Sequence, residues 1–338
     1  MGKKWNIALV GATSEVGGQM IECLEERKFP VGKIIYLSES GVGEIMEFKG
    51  KPVVVEKPAH DSFAGIDIAL FAAGSRLAKE LCPSAAGAGA TCIDSSSAWR
   101  MDPAVPLVVP DVNPHAIALY SGKGIIASPS CSSIQIAMAL KPLHDYGRIR
   151  RVVVSTYQAV SSAGKKAIEE LHFQTIAVMS GKAVKCRALP HRIAFNCLPN
   201  TGPIGDNGYT REEMQIVDET VKIMETEVRA TATTVLVPVF YGLCQALNVE
   251  TGKKISTAKA REILANAPGL KLVDDVSKNV FPMPSEAAGQ DMVFVGRIRE
   301  DESIKNGLNL WLVADNIRNG ASNAVRIAEL LIEKHLKR

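Results

Sequence analysis

The sequence predicts an α/β chain in two parts, a parallel, doubly wound sheet followed by an α+β region built on a large mixed sheet. Three observations carry that prediction. Trp5–Val10 is a short apolar run, followed by a glycine-bearing turn at Gly11–Gly17 and by Val16, Met20, Ile21 and Leu24 at helical spacing within Glu15–Arg27. Short apolar runs then alternate with helical ones as far as residue 127, as expected for parallel strands joined by crossover helices. Beyond residue 149 the strands lengthen and fill with β-branched residues, which points to partly antiparallel pairing.

The individual elements follow in order. Ile34–Leu37, Ile66–Phe71, Thr91–Asp94 and Gly124–Ala127 read as further buried strands, with a helix at Leu77–Ala88, so the first part is expected to be a Rossmann-type parallel sheet. In the second part Arg150–Val160, Thr231–Val239, Met292–Arg299 and Leu308–Ala314 read as strands between helices at Lys165–Met179 and Arg211–Met224. Thr210-x-x-Glu213 is a capping box opening the latter helix, so Glu213 needs no catalytic role. Ser322–Lys337 places Ala324, Ile327, Leu330 and Leu331 on one helical face, an expected final helix that returns to the first part.

Composition narrows the function classes. The 338 residues suffice for two domains, and 46% hydrophobic with 22% charged residues is an ordinary globular balance. The net charge is +3 with Lys and Arg dispersed among Asp and Glu, so no basic stripe for nucleic acid is expected. No apolar run reaches the roughly 18–20 residues of a membrane span. Met1–Val10 lacks the apolar stretch of a signal peptide, and the seven cysteines are scattered without a Cys-x-x-Cys pair. A reduced, cytoplasmic protein with neither disulfide framework nor metal is expected.

Two motifs carry chemistry. Gly11-Ala-Thr13-Ser14-Glu15-Val16-Gly17 follows a strand and opens a helix, where backbone N–H groups and the helix dipole can face a pyrophosphate. Ser14 stands where the usual fingerprint has its middle glycine. A tight strand-to-helix connection would need the same glycines, so the turn alone leaves both readings open. After the second strand, in Leu37-Ser38-Glu39-Ser40-Gly41, Glu39 is placed to accept an adenosine ribose hydroxyl, or else is a solvated loop carboxylate. No arginine stands in that loop to take a 2′-phosphate, so stronger discrimination against NADP than is usual is expected. The second motif is Ser128-Pro-Ser130-Cys131, between a strand and a helix. A thiol at a helix N-terminus has its thiolate favoured, whereas an inert buried cysteine is the alternative.

Taken together, the residues resemble the aspartate-semialdehyde dehydrogenase family nearly end to end. Besides the nucleotide turn, the matching stretches include Asp94-Ser-Ser-Ser-Ala-Trp-Arg100, Val108-Val-Pro-Asp-Val-Asn113 and Ser155-Thr-Tyr-Gln158-Ala-Val-Ser161. Ile193-Ala-Phe-Asn196 and Leu308–Asn316 continue the series. The resemblance implies a dinucleotide-binding domain at 1–130, with the helix 321–338 returning to it, and a catalytic and dimerisation domain at 131–320. It also implies reduction of an acyl phosphate, or the reverse reaction of an aldehyde, through a cysteine thioester with NADP or NAD, in a homodimer. Carried over, Cys131 is the thioester nucleophile and Gln158 holds the acyl group. Arg100 meets the phosphate, and Glu212 is the substrate-side carboxylate. Gly11, Thr13, Ser14, Glu15, Val16, Gly17, Ser38, Glu39, Ser161, Ser162 and Asn316 line the cofactor.

The departures from the family pattern are specific. Leu236 stands where the pattern has the arginine that clamps the substrate carboxylate. Leu243 replaces the acid/base histidine, Gln215 a phosphate-binding lysine, and Ser128 and Ser130 the asparagines of the cysteine loop. A missing acid/base costs about a hundred- to ten-thousand-fold in rate. Three readings stay open: a working dehydrogenase, a degenerate paralogue with a binding, regulatory or structural role, and an oxidoreductase for a less anionic acyl substrate.

Overall fold

The computed structural model describes residues 3–200 and 202–336. The chain divides into two compact units, Met1–Ser130 with Gly320–Arg338, and Cys131–Asn319.

In the first unit β1 (Trp5–Val10) is buried along its length except at Asn6, as a central parallel strand must be. It leads into α1 (Glu15–Glu26), whose buried face carries Met20, Ile21 and Leu24. β2 (Val31–Leu37) pairs parallel with β1. β3 (Ile45–Phe48) and β4 (Lys51–Glu56), absent from the sequence expectation, form an antiparallel hairpin that joins the sheet through β4 and β2. β5 (Ile68–Phe71), α2 (Ser75–Gly87), β6 (Thr91–Asp94) and β7 (Ile125–Ala127) complete a sheet of order β3-β4-β2-β1-β5-β6-β7.

In the second unit α3 (Cys131–Gly147) precedes the long strand β8 (Ile149–Gln158). The helices α4 (Lys165–Met179) and α5 (Arg211–Met224) have the bounds the sequence suggests. β9 (Arg229–Leu236) stops two residues before Pro238, which has no N–H to offer a ladder. β10 (Leu243–Thr251) then runs between β8 and β13. α6 (Thr257–Ala265), β11 (Leu270–Leu272), α7 (Pro284–Ala287), β12 (Val293–Asp301) and β13 (Gly307–Ala314) follow. The sheet order is β11-β12-β13-β10-β8-β9, with β8–β9 and β11–β12 parallel and the other pairs antiparallel. This is the mixed sheet the β-branched runs imply.

The last helix, α8 (Asn316–Lys334), starts six residues before the expected Ser322, while residues 337 and 338 of the expected helix lie outside the described residues. From residue 320 on, Ala321, Ala324, Val325, Ile327, Ala328 and Leu331 join the core formed by β1, α1 and β5. Arg27 donates through Nε and Nη2 to the two carboxylate oxygens of Glu329, and Arg326 donates through Nη1 and Nη2 to those of Asp111. Among the described residues no helix is long and apolar enough to cross a membrane.

Candidate active site

The nucleotide turn is built on close backbone approach. Gly11 has φ +86°, and a Cβ there would lie 2.5 Å from the Ala72 carbonyl oxygen at the end of β5. A Cβ on Gly17 would lie 2.2 Å from the Gly11 oxygen, so neither position admits a side chain. Ser14 has φ −79° and needs no glycine; it is the N-cap of α1. Its Oγ accepts from Gly17 N at 3.0 Å and lies 2.7 Å from Gly11 O, to which it donates. Thr13 ties the turn to the next loop through Ser38 Oγ at 2.6 Å and Ser40 Oγ at 3.0 Å. Glu15 is the first residue of α1 and exposed; Val16 packs against the core.

Glu39 does not stand alone. Arg76, the second residue of α2, donates through Nη2 to Glu39 Oε1. The sequence expectation of no arginine at this place therefore needs correction, because the guanidinium arrives from 37 residues downstream. A single sequence shows no signal for that pairing, since the two residues follow strands on opposite sides of β1.

Arg100 is buried and works as a clamp. Its Nε donates to Ser128 O at 3.0 Å and its Nη2 to Ser95 O at 2.6 Å. Beside it Asp94, wholly buried, accepts from Ser96 N and Ser96 Oγ at 3.0 and 2.8 Å. Burial holds the Asp94 carboxyl above its usual range, with the Ser96 bonds and the Arg100 charge opposing.

In the second unit Cys131 is the first residue of α3, half-buried, and the first turn carries no acidic residue. Gln158 closes β8 and is placed by two ladders at once: its partner on β10 is Leu243 and its partner on β9 is Leu236. Directly paired residues share a face, so the amide lies in a row between two leucines. All three side chains are buried, with exposures of 3%, 1% and 4% for Gln158, Leu243 and Leu236. Gln158 Nε2 donates to Glu212 Oε1 at 2.6 Å. Glu212 sits in the first turn of α5, held by the capping box of Thr210 and Glu213, and Gln215 lies one turn further on.

The remaining residues form a second group in this unit. Ser161 Oγ donates to Asn316 Oδ1 at 3.1 Å, and the same oxygen accepts from Gly242 N at 3.0 Å, just before Leu243. Ser162 closes its own turn on Ala159 O. Cys244 points away from the Gln158 row into a cluster with Ala287, Phe294 and Val313, where burial pushes its thiol up to about 12. The structure thus joins Gln158 with Glu212, Ser161 with Asn316, and the turn 11–17 with Ser38. It reveals Leu236 and Leu243 as the two flanks of Gln158.

Comparison with known proteins places this geometry. Residues 6–120 match the semialdehyde dehydrogenase NAD binding domain, and residues 140–319 match the semialdehyde dehydrogenase dimerisation domain. An aspartate-semialdehyde dehydrogenase of Aquifex aeolicus is 52% identical over 337 residues, covering 98% of this chain and 99% of the relative. The chain belongs to the aspartate-semialdehyde dehydrogenase family. A relative in Legionella pneumophila is 45% identical, covering 99% of this chain and 98% of that one. The crystal structure of aspartate semialdehyde dehydrogenase II from Vibrio cholerae superposes with a TM-score of 0.96 at 43% identity, covering 99% of this chain and all of that one.

As in the family, the cofactor is NAD or NADP, and the first unit suits it. Gly11 and Gly17 keep side chains out of the turn that opens α1, whose N-terminal N–H groups and dipole can face an anion, although Ser14 Oγ already takes the Gly17 N–H.

Proposed function

We propose that the chain performs thioester chemistry of the aspartate-semialdehyde dehydrogenase type on Cys131, as a homodimer, with slow or altered turnover of aspartate semialdehyde. The observation that carries this reading is the buried row Leu243–Gln158–Leu236. The Cys131 thiolate, favoured by the α3 dipole, adds to the carbonyl carbon of an acyl phosphate and expels phosphate, leaving a thioester. A nicotinamide cofactor, when bound, would supply the hydride for its reduction. Collapse of the resulting adduct releases the aldehyde and returns the electron pair to sulfur. The Gln158 amide serves to hold the acyl oxygen, and Glu212 to meet an ammonium group on the substrate.

What the row lacks sets the rate. A leucine at 243 cannot hold or move a proton, which costs about a hundred- to ten-thousand-fold. A leucine at 236 offers an α-carboxylate no charge, forgoing about 1.5–3 kcal/mol of charge-assisted bonding.

A second reading, a paralogue that binds cofactor in a regulatory or structural role, is favoured by one further feature. Leu236 is packed with Val160, Leu171, Ile193 and Leu198, so its position belongs to a core. Steady-state assay with aspartate semialdehyde, phosphate and each nicotinamide cofactor tests the proposal. Cys131-dependent turnover at least about a hundredfold below the Aquifex relative is expected. Equal rates overturn the slow-turnover reading, and no turnover with any aldehyde favours the paralogue.

A further inference from the structure

The Arg76–Glu39 ion pair lies where cofactor choice is made. In an open parallel sheet a dinucleotide crosses the carboxyl ends of the strands, and an acidic residue closing the second strand accepts the ribose hydroxyls. Here the order β2-β1-β5 puts the Ser38–Gly41 loop on one side of the β1 turn and the start of α2 on the other. Contacts close a ring around that turn. Thr13 bonds to Ser38 and Ser40 on the β2 side, Ser14 Oγ lies 3.1 Å from Ala72 O on the β5 side, and Arg76 reaches Glu39 to join the two.

We propose that Arg76 admits the 2′-phosphate of NADP, and that Glu39 and Arg76 act as an exchange pair serving both cofactors. With NAD, Glu39 accepts the ribose hydroxyls while Arg76 neutralises it. With NADP, Arg76 transfers its fork from the carboxylate to the phosphate, which offers more acceptor oxygens and more charge. The exchange is cheap because the two side chains are 68% and 54% exposed, and an ion pair so exposed contributes little to stability. Arg76 is also preplaced by Glu80 on the next turn of α2, 3.3 Å from its Nη1. Glu39 and Glu80 together leave the cluster with one net negative charge, so a 2′-phosphate is admitted only by direct contact with the Arg76 fork and not by a neutral patch.

The inference rests on the NAD-binding assignment of the first unit, and binding rather than turnover tests it. Calorimetric titration of the full chain with NADP, NAD, 2′,5′-ADP and 5′-AMP would compare wild type with Arg76→Ala, Arg76→Lys and Glu39→Gln. Arg76→Ala is expected to weaken NADP and 2′,5′-ADP by roughly 10- to 100-fold, or about 1.4–2.8 kcal/mol at 1.4 kcal/mol per tenfold, and NAD by no more than about threefold. Arg76→Lys should fall between, because an ammonium keeps the charge without the fork. Glu39→Gln should move the two cofactors in opposite directions, weakening NAD and tightening NADP. Equal shifts of NAD and NADP in Arg76→Ala, or none in either, overturn the role of Arg76 while leaving the nucleotide site standing. Failure of all four probes to bind wild type overturns both.

Discussion

Leu236→Arg has two opposed consequences that the structure allows to be sized. Leu236 is 4% exposed, packs with Val160, Ala167, Leu171, Ile193, Ala194 and Leu198, and is paired across the ladder with Gln158. Removing the buried leucine forfeits roughly 2–3 kcal/mol of transfer energy. The arginine stem recovers part of that by lying along the same apolar surface, but its head must be desolvated or turned toward the Glu212 carboxylate. A net loss of about 2–4 kcal/mol follows, which lowers the melting midpoint by roughly 4–16 °C. Against this, aspartate semialdehyde gains a guanidinium for its carboxylate, about 1.5–3 kcal/mol, so KM should fall by roughly 10- to 150-fold. Thermal melting with and without substrate, alongside steady-state kinetics, reads both signs. Adding Leu243→His and Gln215→Lys should raise kcat/KM by more than the product of the single effects, since a base without an oriented substrate has nothing to act on. A variant as stable as wild type would contradict the packing described for Leu236. A folded variant with unchanged KM, or a triple variant no faster than its best single, would refute the account of the row.

Two further outcomes are expected. Brief iodoacetamide treatment at neutral pH should label Cys131 ahead of the exposed Cys186 and Cys197, because the α3 dipole favours its thiolate; Cys82 and Cys244, whose thiols burial pushes up, should stay unlabelled. Slower labelling of Cys131 than of the two exposed thiols would mean that it is not activated. Burial raises the folded-state Asp94 carboxyl above its unfolded value, so its contribution is fully present below about pH 4 and lost as pH rises through the folded value. Urea midpoints should therefore show wild type losing stability relative to Asp94→Asn above about pH 4; a gap independent of pH would be the contrary result.

Much of this was legible in the sequence where local pattern and tertiary role agree. β1, its glycine turn and α1 form one strand–turn–helix unit, and α4 and α5 begin and end where their periodicity and capping do. The β3–β4 hairpin was not legible: apolar Ile45 and Val54 stand on its exposed face, so the alternation of the inward Met46, Phe48, Val53 and Val55 does not show as a hydrophobic/polar pattern. β10 was hidden for the opposite reason. It is buried on both faces and carries polar residues whose partners are remote, Gln245 with Gln135 on α3 and Asn248 with Asp301 and Asn309. At the site, the motif stretches name Cys131 and Gln158, but only strand register shows that Leu236 and Leu243 flank the same amide. Arg76 was invisible because its meeting with Glu39 depends on strand order rather than on spacing.

The most direct test of the central claim separates the chemistry on Cys131 from the steps the leucine row impairs. Wild type and Cys131→Ser are mixed rapidly with aspartate semialdehyde and oxidised cofactor, first without phosphate and then with it, while reduced cofactor is followed by absorbance and the protein by intact mass. The account predicts one slow equivalent of reduced cofactor per chain in wild type and an acyl adduct on Cys131. It further predicts release of that adduct by phosphate at a rate far below that of conventional relatives, and no adduct in Cys131→Ser. Reduced cofactor formed without an adduct, or formed equally by Cys131→Ser, would contradict thioester chemistry at this cysteine. Rapid turnover once phosphate is added would contradict the claim that Leu236 and Leu243 limit the reaction.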